Sequence, residues 1–280
     1  MSILSEYNVA MDKKIKVQVI GDCQTARIQG QHINAHLGPI ENLTRSNPDF
    51  ESKNSKFLVD SNIEVNFWGR AGYKCFGLDL GEDINQDLKS SNAEDMIDAY
   101  ELALLHPEYP GLPGATDGIE LFFNLSDVKD ADLIMPFIGY VDCRNWIPKY
   151  DNAEQIVRDY VHAFITEFPS KKLRFIEPFP QFKHVETYAY PMLDYVDRHA
   201  AEKSFIAFLR QVSEEYGLLP PVTQEIVYDA IGEEFLLSKH ARSGGEKQQN
   251  TLVDGLLPEY NKKVYENLSQ QIKETVSLLF

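Results

Sequence analysis

The sequence KVQVIGDCQ at residues 16–24 constrains the fold of this chain more than any other stretch. Its apolar and β-branched residues predict a short buried strand that ends at Gly21. The chain then brings Asp22 and Cys23 into the turn before a helix. Open α/β sheets place reactive groups in strand-to-helix turns of this kind. A thiol held there needs partners from the rest of the chain.

Strands and helices are predicted to alternate after this stretch. Runs of apolar and β-forming residues predict strands over residues 63–68, 132–139 and 173–178. Helical spacing of apolar residues predicts helices over 25–37, 153–168, 195–216 and from Pro258 onwards. This alternation favours an α/β fold with three layers, in which helices cover both faces of a parallel sheet.

A single domain over residues 1–280 is expected, with loops inserted at 39–61 and 106–118. The first segment is polar and interrupted by prolines, and the second is rich in proline and glycine. Residues 221–228 are expected to form a further strand. Pro136 lacks an amide donor, so the strand over 132–139 is expected near a sheet edge or at a bulge.

The chain is acidic, with 27 Lys and Arg against 43 Asp and Glu and a formal net charge of -16. This charge disfavours binding to nucleic acid or to anionic lipid headgroups. The three cysteines show neither CxxC nor Cys/His zinc spacing, so no metal site is expected. The N-terminal residues lack the apolar run of a signal peptide, and no apolar stretch approaches about 18 residues. We therefore expect a cytoplasmic protein without a membrane span.

Reactive or polar residues follow three of the predicted strands. They are Asp22 and Cys23, then Gly69 and Arg70, then Asp142, Cys143 and Arg144. The carboxyl ends of parallel strands open on the same edge of a sheet, where ligands bind. If the three strands are neighbours, these residues form a single site.

The run VIGDCQ at 19–24 resembles the first block of the SGNH/GDSL hydrolases, with Cys23 where that family has its nucleophilic serine. Residues 66–69 resemble the second block, whose glycine amide, here Gly69, helps to line the oxyanion hole. Residues 137–142 resemble the third block, and 253–257 lie where the fifth is expected. The resemblance implies a flavodoxin-like parallel sheet of the SGNH type and acyl-group chemistry.

Two positions depart from that family pattern. Val141 replaces the asparagine of the third block and removes a side-chain oxyanion donor. Leu257 stands where the family has its catalytic histidine, so that only Asp254 remains of the Asp–His pair. The base of a serine esterase therefore cannot be transferred to this chain.

A thiol nucleophile needs another base within hydrogen-bond reach. His240 is the first candidate, because it precedes a Gly-Gly loop that leads to Asp254. His184 and His199, which follow the predicted fourth strand, are alternatives. A solvated or structural role remains the alternative for each of these histidines.

Cys23 itself has two interpretations. A thiolate at a helix N-terminus is stabilised by the helix dipole and by free amides, which lowers its pKa. The neighbouring Asp22 opposes this effect unless its carboxylate turns away to cap the helix. The alternative is a buried structural cysteine.

A second resemblance concerns the same motif. Gly-Asp-Cys-Gln, ending at Gln24, is similar to the Gly-Asn-Cys-Gln opening of capsular-polysaccharide acetyltransferases, which implies bound coenzyme A and acyl transfer to a sugar. Residues 139–144 resemble a motif of SGNH-like proteins associated with surface-polysaccharide synthesis. A basic island at Lys239, Arg242 and Lys247 is a candidate site for coenzyme A phosphates, with a solvated loop as the alternative.

Two further residues complete the predicted site. Arg144 is expected to hold an anionic substrate group or to replace the missing oxyanion donor, with a salt bridge to Asp142 as the alternative. Asp142 either contacts substrate or fixes a loop. A pair formed by Cys143 and Cys23, or a metal bound between them, is disfavoured in a cytoplasmic protein.

The function hypothesis is an acyl-group enzyme acting on a carbohydrate, either an O-acetyltransferase or an esterase, with Cys23 as nucleophile. Its substrate is a carbohydrate or a small acyl compound. The rival hypothesis is a catalytically inactive, SGNH-like carbohydrate-binding or assembly protein that retained the pocket and lost the base.

Overall fold

The structure is a computed structural model that describes residues 14–22, 25, 56–70, 75, 123, 126–145, 147–185, 194–237, 242–243 and 258–280. The strands of the main sheet are β1 Ile15–Asp22, β2 Lys56–Asp60, β3 Ile63–Arg70, β4 Leu133–Phe137 and β5 Lys172–Leu173. Their order is β2-β3-β1-β4-β5. Strand β1 pairs in parallel with β3 on one side and with β4 on the other, and β4 pairs in parallel with β5. Strand β2 runs antiparallel to β3.

The helices that the structure describes are α1 Ser126–Asp130, α2 Tyr140–Asn145, α3 Ile147–Tyr150, α4 Ala153–Glu167, α5 Tyr195–Glu215, α6 Glu225–Ile231, α7 Glu233–Leu236 and α8 Pro258–Leu279. A short parallel pair, β6 His184–Val185 and β7 Arg242–Ser243, lies outside the main sheet. Among the helices in the described part of the chain, none combines the length and apolar composition needed to cross a membrane.

Alternate side chains of β1 enter two separate cores. Val17 and Val19 pack with α6 and α8 on one face, whereas Ile20 packs with α4 and α5 on the other. This is the alternation expected of a strand that is buried on both faces. The predicted three-layer α/β architecture, with helices on both faces of a mostly parallel sheet, is therefore confirmed.

The predicted strands differ from the observed ones mainly at their ends. Strand β1 does not end at Gly21, because Gly21 and Asp22 continue the ladder opposite Gly69 and Arg70 of β3. The predicted strand at 173–178 pairs regularly only at its start and continues as a single bridge between Ile176 and Val222.

Two segments were assigned wrongly from the sequence. Residues 56–60 belong to β2 and not to an inserted loop, because they pair along the outer side of β3. The predicted strand over 221–228 is a single bridge at Val222 followed by α6. The apolar residues of α6 recur at helical spacing and face the core, as Ile226, Val227, Ala230 and Ile231. The predicted loop over 106–118 lies outside the described residues.

Pro136 lies at a position in β4 where the lack of a backbone N–H removes few hydrogen bonds between strands. Strand β4 lies one strand in from the β5 end of the sheet. The carbonyl of Pro136 accepts a hydrogen bond from the Ile176 amide at 2.9 Å, so this residue faces the β5 side, where regular pairing has ended at Leu173. This agrees with the expected position near an edge.

The long helices α4, α5 and α8 lie within one residue of their predicted bounds. The apolar residues that recur at helical spacing along α8 are buried, namely Val264, Leu268, Ile272 and Val276. On α5, Ala207 is exposed and Phe208 is only partly buried. Its buried stripe instead runs through Arg198, Ala201, Glu202, Phe205, Leu209 and Val212. Of the helix predicted over 25–37, only Thr25 is described, and it is helical.

Gly139 joins β4 to α2 with a backbone φ of 119°, which side chains rarely tolerate. A Cβ added there would lie 2.7 Å from Cζ of Phe205, so the ring packs directly on the glycine. Gly217 also has a positive φ, of 66°, but no atom lies within 4 Å of its added Cβ. Substitution of Gly217 therefore causes backbone strain alone, whereas substitution of Gly139 adds overpacking against Phe205.

We expect Gly139→Ala to lower the free energy of unfolding by about 2–4 kcal/mol, since it combines strain with overpacking. Gly217→Ala, the matched control, should lower it by about 1–2 kcal/mol. Urea denaturation followed by circular dichroism measures both. Equal losses would contradict the close packing of Phe205 on Gly139.

Candidate active site

The carboxyl ends of β1, β3 and β4 lie side by side in the structure. Gly21 is opposite Gly69 of β3 and opposite Phe137 of β4. Asp22 is opposite Arg70. The three strand ends that the sequence singled out are therefore neighbours, with β1 in the middle.

Gly21 allows an unusually close approach at this point. A Cβ added there would overlap Oγ1 of Thr25 and lie 2.6 Å from the carbonyl oxygen of Phe137. Thr25, which is helical and buried, thus packs directly on the end of β1. Cys23 and Gln24 lie outside the described residues, between the buried Asp22 and Thr25.

Asp142 links two of the strand ends. It is completely buried in the first turn of α2, which follows β4. Its two carboxylate oxygens accept the backbone N–H of Cys75, at 3.1 and 3.2 Å. Cys75 lies beyond the end of β3, so Asp142 ties the connection after β3 to α2. This contact supports the loop-fixing interpretation of Asp142.

Arg144 lies two residues further along α2 and is partly buried. Its guanidinium carbon is 5.6 Å from the centre of the Tyr140 ring, within the range of a cation–π interaction. Arg144 also lies close enough to Arg198 of α5 to lower the pKa of that residue, although burial is the larger cause. The two arginines therefore lie near the buried carboxylates of Asp142 and Glu202.

Cys75 and Cys143 are free, buried thiols near the strand ends. Burial raises the pKa of Cys143, and the carboxylates of Glu202, Asp142 and Asp22 raise it further. Burial also raises the pKa of Cys75, and the neighbouring Asp142 carboxylate raises it further. Both thiols therefore stay protonated and unreactive in the folded protein.

No group of three or more His, Cys, Asp or Glu residues is placed to bind a metal ion within the part of the chain that the structure describes. Val141 is completely buried in the core, so the third block supplies no side-chain donor there.

The predicted bases are placed differently from one another. His184 belongs to β6, where its backbone pairs with Arg242, a member of the basic island. His199 lies in the first turns of α5, with Nδ1 3.7 Å from Oε2 of Glu202. His240 and Asp254 lie outside the described residues, as do Lys239 and Lys247.

Glu202 is a buried carboxylate that the sequence analysis did not single out. Its side chain is buried, with 1% of the residue exposed. Both carboxylate oxygens accept hydrogen bonds at 2.8 Å, one from the backbone N–H of Gln181 and one from Nε2 of Gln224. Nε2 of Gln181 in turn donates to the Tyr140 carbonyl at 3.0 Å. The signal in the sequence was the helical spacing of Glu202 with Phe205 and Leu209, which places a carboxylate on the buried side of α5.

No protein-family model matches the sequence, and no curated protein is similar to it. Several solved structures are similar over most of their length. A carbohydrate acetylesterase from Sinorhizobium meliloti has 12% identity and a TM-score of 0.46, covering 94% of this chain and 100% of that one. An aryl esterase from M. smegmatis has 9% identity and a TM-score of 0.45, covering 93% of this chain and 99% of that one.

A lipase/acylhydrolase from Enterococcus faecalis has 14% identity and a TM-score of 0.44, with coverage of 93% of this chain and 96% of that chain. Similarity at this level carries no argument about activity. The fold class of this chain rests on its own strand order, in which β1 lies between β3 and β4.

We expect Asp142→Ala to lower the free energy of unfolding by about 1–3 kcal/mol, because it leaves the buried amide of Cys75 without its acceptor. Asp130→Ala, at an exposed position in α1, is the control and should change it by less than about 0.5 kcal/mol. Urea denaturation measures the loss, and hydrogen exchange at the Cys75 amide should accelerate only in Asp142→Ala. Unchanged exchange would contradict this anchoring contact.

The raised thiol pKa values predict a loss of stability in alkali. The folded protein keeps these thiols protonated, whereas the unfolded chain releases their protons above pH 9, their ordinary pKa. Stability then falls as pH rises, by up to about 1.4 kcal/mol per thiol and pH unit. Urea denaturation at about pH 8 and about pH 10 should show a smaller decrease for Cys143→Ala than for the unmodified chain. Equal decreases would show that Cys143 ionises in the fold.

Proposed function

We propose that this chain is an acyl-group enzyme acting on a carbohydrate, with Cys23 as nucleophile. The observation that carries the proposal is the position of β1, whose carboxyl end is flanked by the ends of β3 and β4. The residue after Asp22 therefore follows the middle strand of the edge where α/β sheets bind their ligands. Residues 21–24 and 139–144 resemble motifs of proteins that modify or synthesise polysaccharides, which supports a carbohydrate as the substrate.

In the first step of the proposed reaction, the Cys23 thiolate attacks the carbonyl carbon of an acyl donor. A C–S bond forms, the bond to the leaving alcohol or thiol breaks, and the leaving group takes a proton from the protonated base. In the second step, a sugar hydroxyl or water attacks the thioester. It gives its proton to the base, and the thiolate leaves.

The oxyanion formed in each step requires hydrogen-bond donors. The amides of Gly69 and Cys23 are the proposed donors, because Gly69 lies opposite Gly21 at the end of the neighbouring strand. Arg144 is proposed to stabilise the same charge or an anionic group of the substrate. This role fits the burial of Val141, which leaves the third block without an asparagine donor.

Coenzyme A is the proposed acyl donor if the enzyme is a transferase. The pairing of β6 with β7 places the backbone of Arg242 opposite that of His184. Lys183 immediately precedes His184 in the sequence. Arg144 and Arg198 add positive charge near the Tyr140 end of α2. Of these residues, Arg144 and Lys183 are the proposed contacts for its phosphates, because Arg198 is buried and already donates to the carbonyls of Phe182 and Lys183.

We expect Cys23→Ala to lower kcat/KM for an activated acetyl ester by at least about 1000-fold, because the nucleophile is lost. Cys143→Ala is the matched control and should retain activity, since its thiol is buried and protonated. Spectrophotometric release of the leaving group measures both. If the two variants remain equally active, Cys23 is not the nucleophile.

Calorimetric titration with coenzyme A separates transfer from hydrolysis. Binding at or below millimolar concentration supports the transferase, and its absence leaves the esterase. The rival function, carbohydrate binding without catalysis, is favoured by the buried Val141. It predicts sugar binding that Cys23→Ala leaves intact, with no ester turnover by the unmodified chain.

A further inference from the structure

The chain after β5 runs through the interior of the protein as an irregular segment. Residues 175–182 are all buried, and after the bridge at Ile176 they form neither helix nor strand. A buried irregular segment is uncommon, because its backbone groups and polar side chains need partners inside the fold. The partners of this segment therefore show what it does.

Gln181 connects two helices near the end of this segment. Its backbone N–H donates to Oε2 of Glu202 in α5 at 2.8 Å, and its side-chain Nε2 donates to the carbonyl of Tyr140 at 3.0 Å. Tyr140 is the first residue of α2 and is completely buried. Gln181 is itself 2% exposed, so water competes little for either hydrogen bond.

The ring of Tyr140 is held by the same segment. Phe179 and Phe182 approach it edge-to-face, with centroid distances of 6.5 and 6.0 Å. Rings in this arrangement attract one another beyond their apolar contact. Tyr140 thus contacts the segment through both its ring and its carbonyl, which fixes the start of α2 at two points.

Gln224, which precedes α6, holds the segment at its other end. Its backbone N–H donates to Oε2 of Glu177 at 2.9 Å. Its Nε2 donates at 2.8 Å both to the carbonyl of Pro178 and to Oε1 of Glu202. Glu202 therefore accepts hydrogen bonds from Gln181 and Gln224 at once, which limits how far the segment can shift.

Arg144 depends on α2 for its position. It lies four residues after Tyr140, and its guanidinium carbon is 5.6 Å from the centre of the Tyr140 ring, as expected for side chains one turn apart on a helix. Helix α2 has only six residues, Tyr140–Asn145. A helix this short is not stable by itself, so its placement depends on its tertiary contacts. A shift of Tyr140 would therefore move Arg144 as well.

Helix α2 lies at the edge of the sheet that carries the candidate site. It begins three residues after Phe137, which ends β4 opposite Gly21 of β1. Asp142 of the same helix accepts the amide of Cys75, beyond the end of β3. Arg144 is therefore carried by an element that follows β4 closely and is bonded to the connection after β3.

We infer that Gln181 is a positioning residue: through the Tyr140 carbonyl it fixes α2, and with it the guanidinium of Arg144, at this edge of the sheet. Because it is buried, Gln181 acts through Arg144 and not on the substrate. The inference rests on the proposed function for the role of Arg144 in binding an oxyanion or an anionic group. The hold of Gln181 on α2 rests on hydrogen bonds that are independent of that role.

Gln181→Met removes the side-chain donor and keeps both the side-chain length and the backbone N–H that Glu202 accepts. Phenylglyoxal modifies arginine guanidinium groups, so its reaction at Arg144, followed by peptide mass spectrometry, reports how firmly that group is held. We expect this reaction to be about tenfold faster in Gln181→Met, since opening α2 no longer breaks a buried hydrogen bond. Gln155→Met is the matched control, because Gln155 is exposed and bonds to Asp159 within α4, and it should leave the rate unchanged.

Turnover of the activated acetyl ester tests the consequence for the reaction. Gln181→Met should lower kcat/KM by about tenfold, because a displaced guanidinium stabilises the transition state less. In a chain that already carries Arg144→Met, the same substitution should lower it by less than about twofold, since no guanidinium is left to displace. A purely structural role would lower kcat/KM by the same factor in both backgrounds.

The two measurements separate the inference from the proposed function. An unchanged rate of Arg144 modification in Gln181→Met, or equal losses of kcat/KM in the two backgrounds, would overturn the inference and leave the proposed function standing. Faster modification of Arg144 in Gln181→Met, together with no ester turnover by the unmodified chain, would overturn the proposed function and leave Gln181 as the residue that positions Arg144.

Discussion

The close contact at Gly21 is the constraint on which the rest of this structure depends. Only a residue without a side chain allows Thr25 and the Phe137 carbonyl to approach the end of β1 as they do. Gly139 plays a related role after β4, where Phe205 of α5 packs against it. These two contacts bring Thr25, the end of β4 and the middle of α5 to one edge of the sheet.

Buried carboxylates then hold the connections at this edge in place. Asp142 accepts the Cys75 amide from beyond β3, and Glu202 accepts groups from the segments after β5 and before α6. An unpaired buried charge would cost several kcal/mol, so these acidic side chains are tolerated because their oxygens have donors. The arrangement explains how a chain with a net charge of -16 buries carboxylates at this edge of the sheet.

Periodicity in the sequence was sufficient to predict the main architecture. The apolar repeats of α4 and α8 located both helices, and the glycines near the ends of β1 and β3 correctly marked neighbouring strand ends. The sequence failed where tertiary contacts decide the outcome. Strand β2 is only five residues long and follows a polar stretch, and it pairs along its length with β3. The burial of Glu202 depends on how α5 is rotated about its axis, which its mixed apolar pattern did not reveal.

The central claim is that the residue after Asp22 performs covalent chemistry at this edge. It is tested most directly by incubating the full chain with an activated acetyl ester, quenching in acid and locating acetyl groups by peptide mass spectrometry. The account predicts a thioester on Cys23 that hydroxylamine removes at neutral pH. Hydrolysis of the ester with Cys23 unmodified, or a stable acetyl group on another residue, would contradict it.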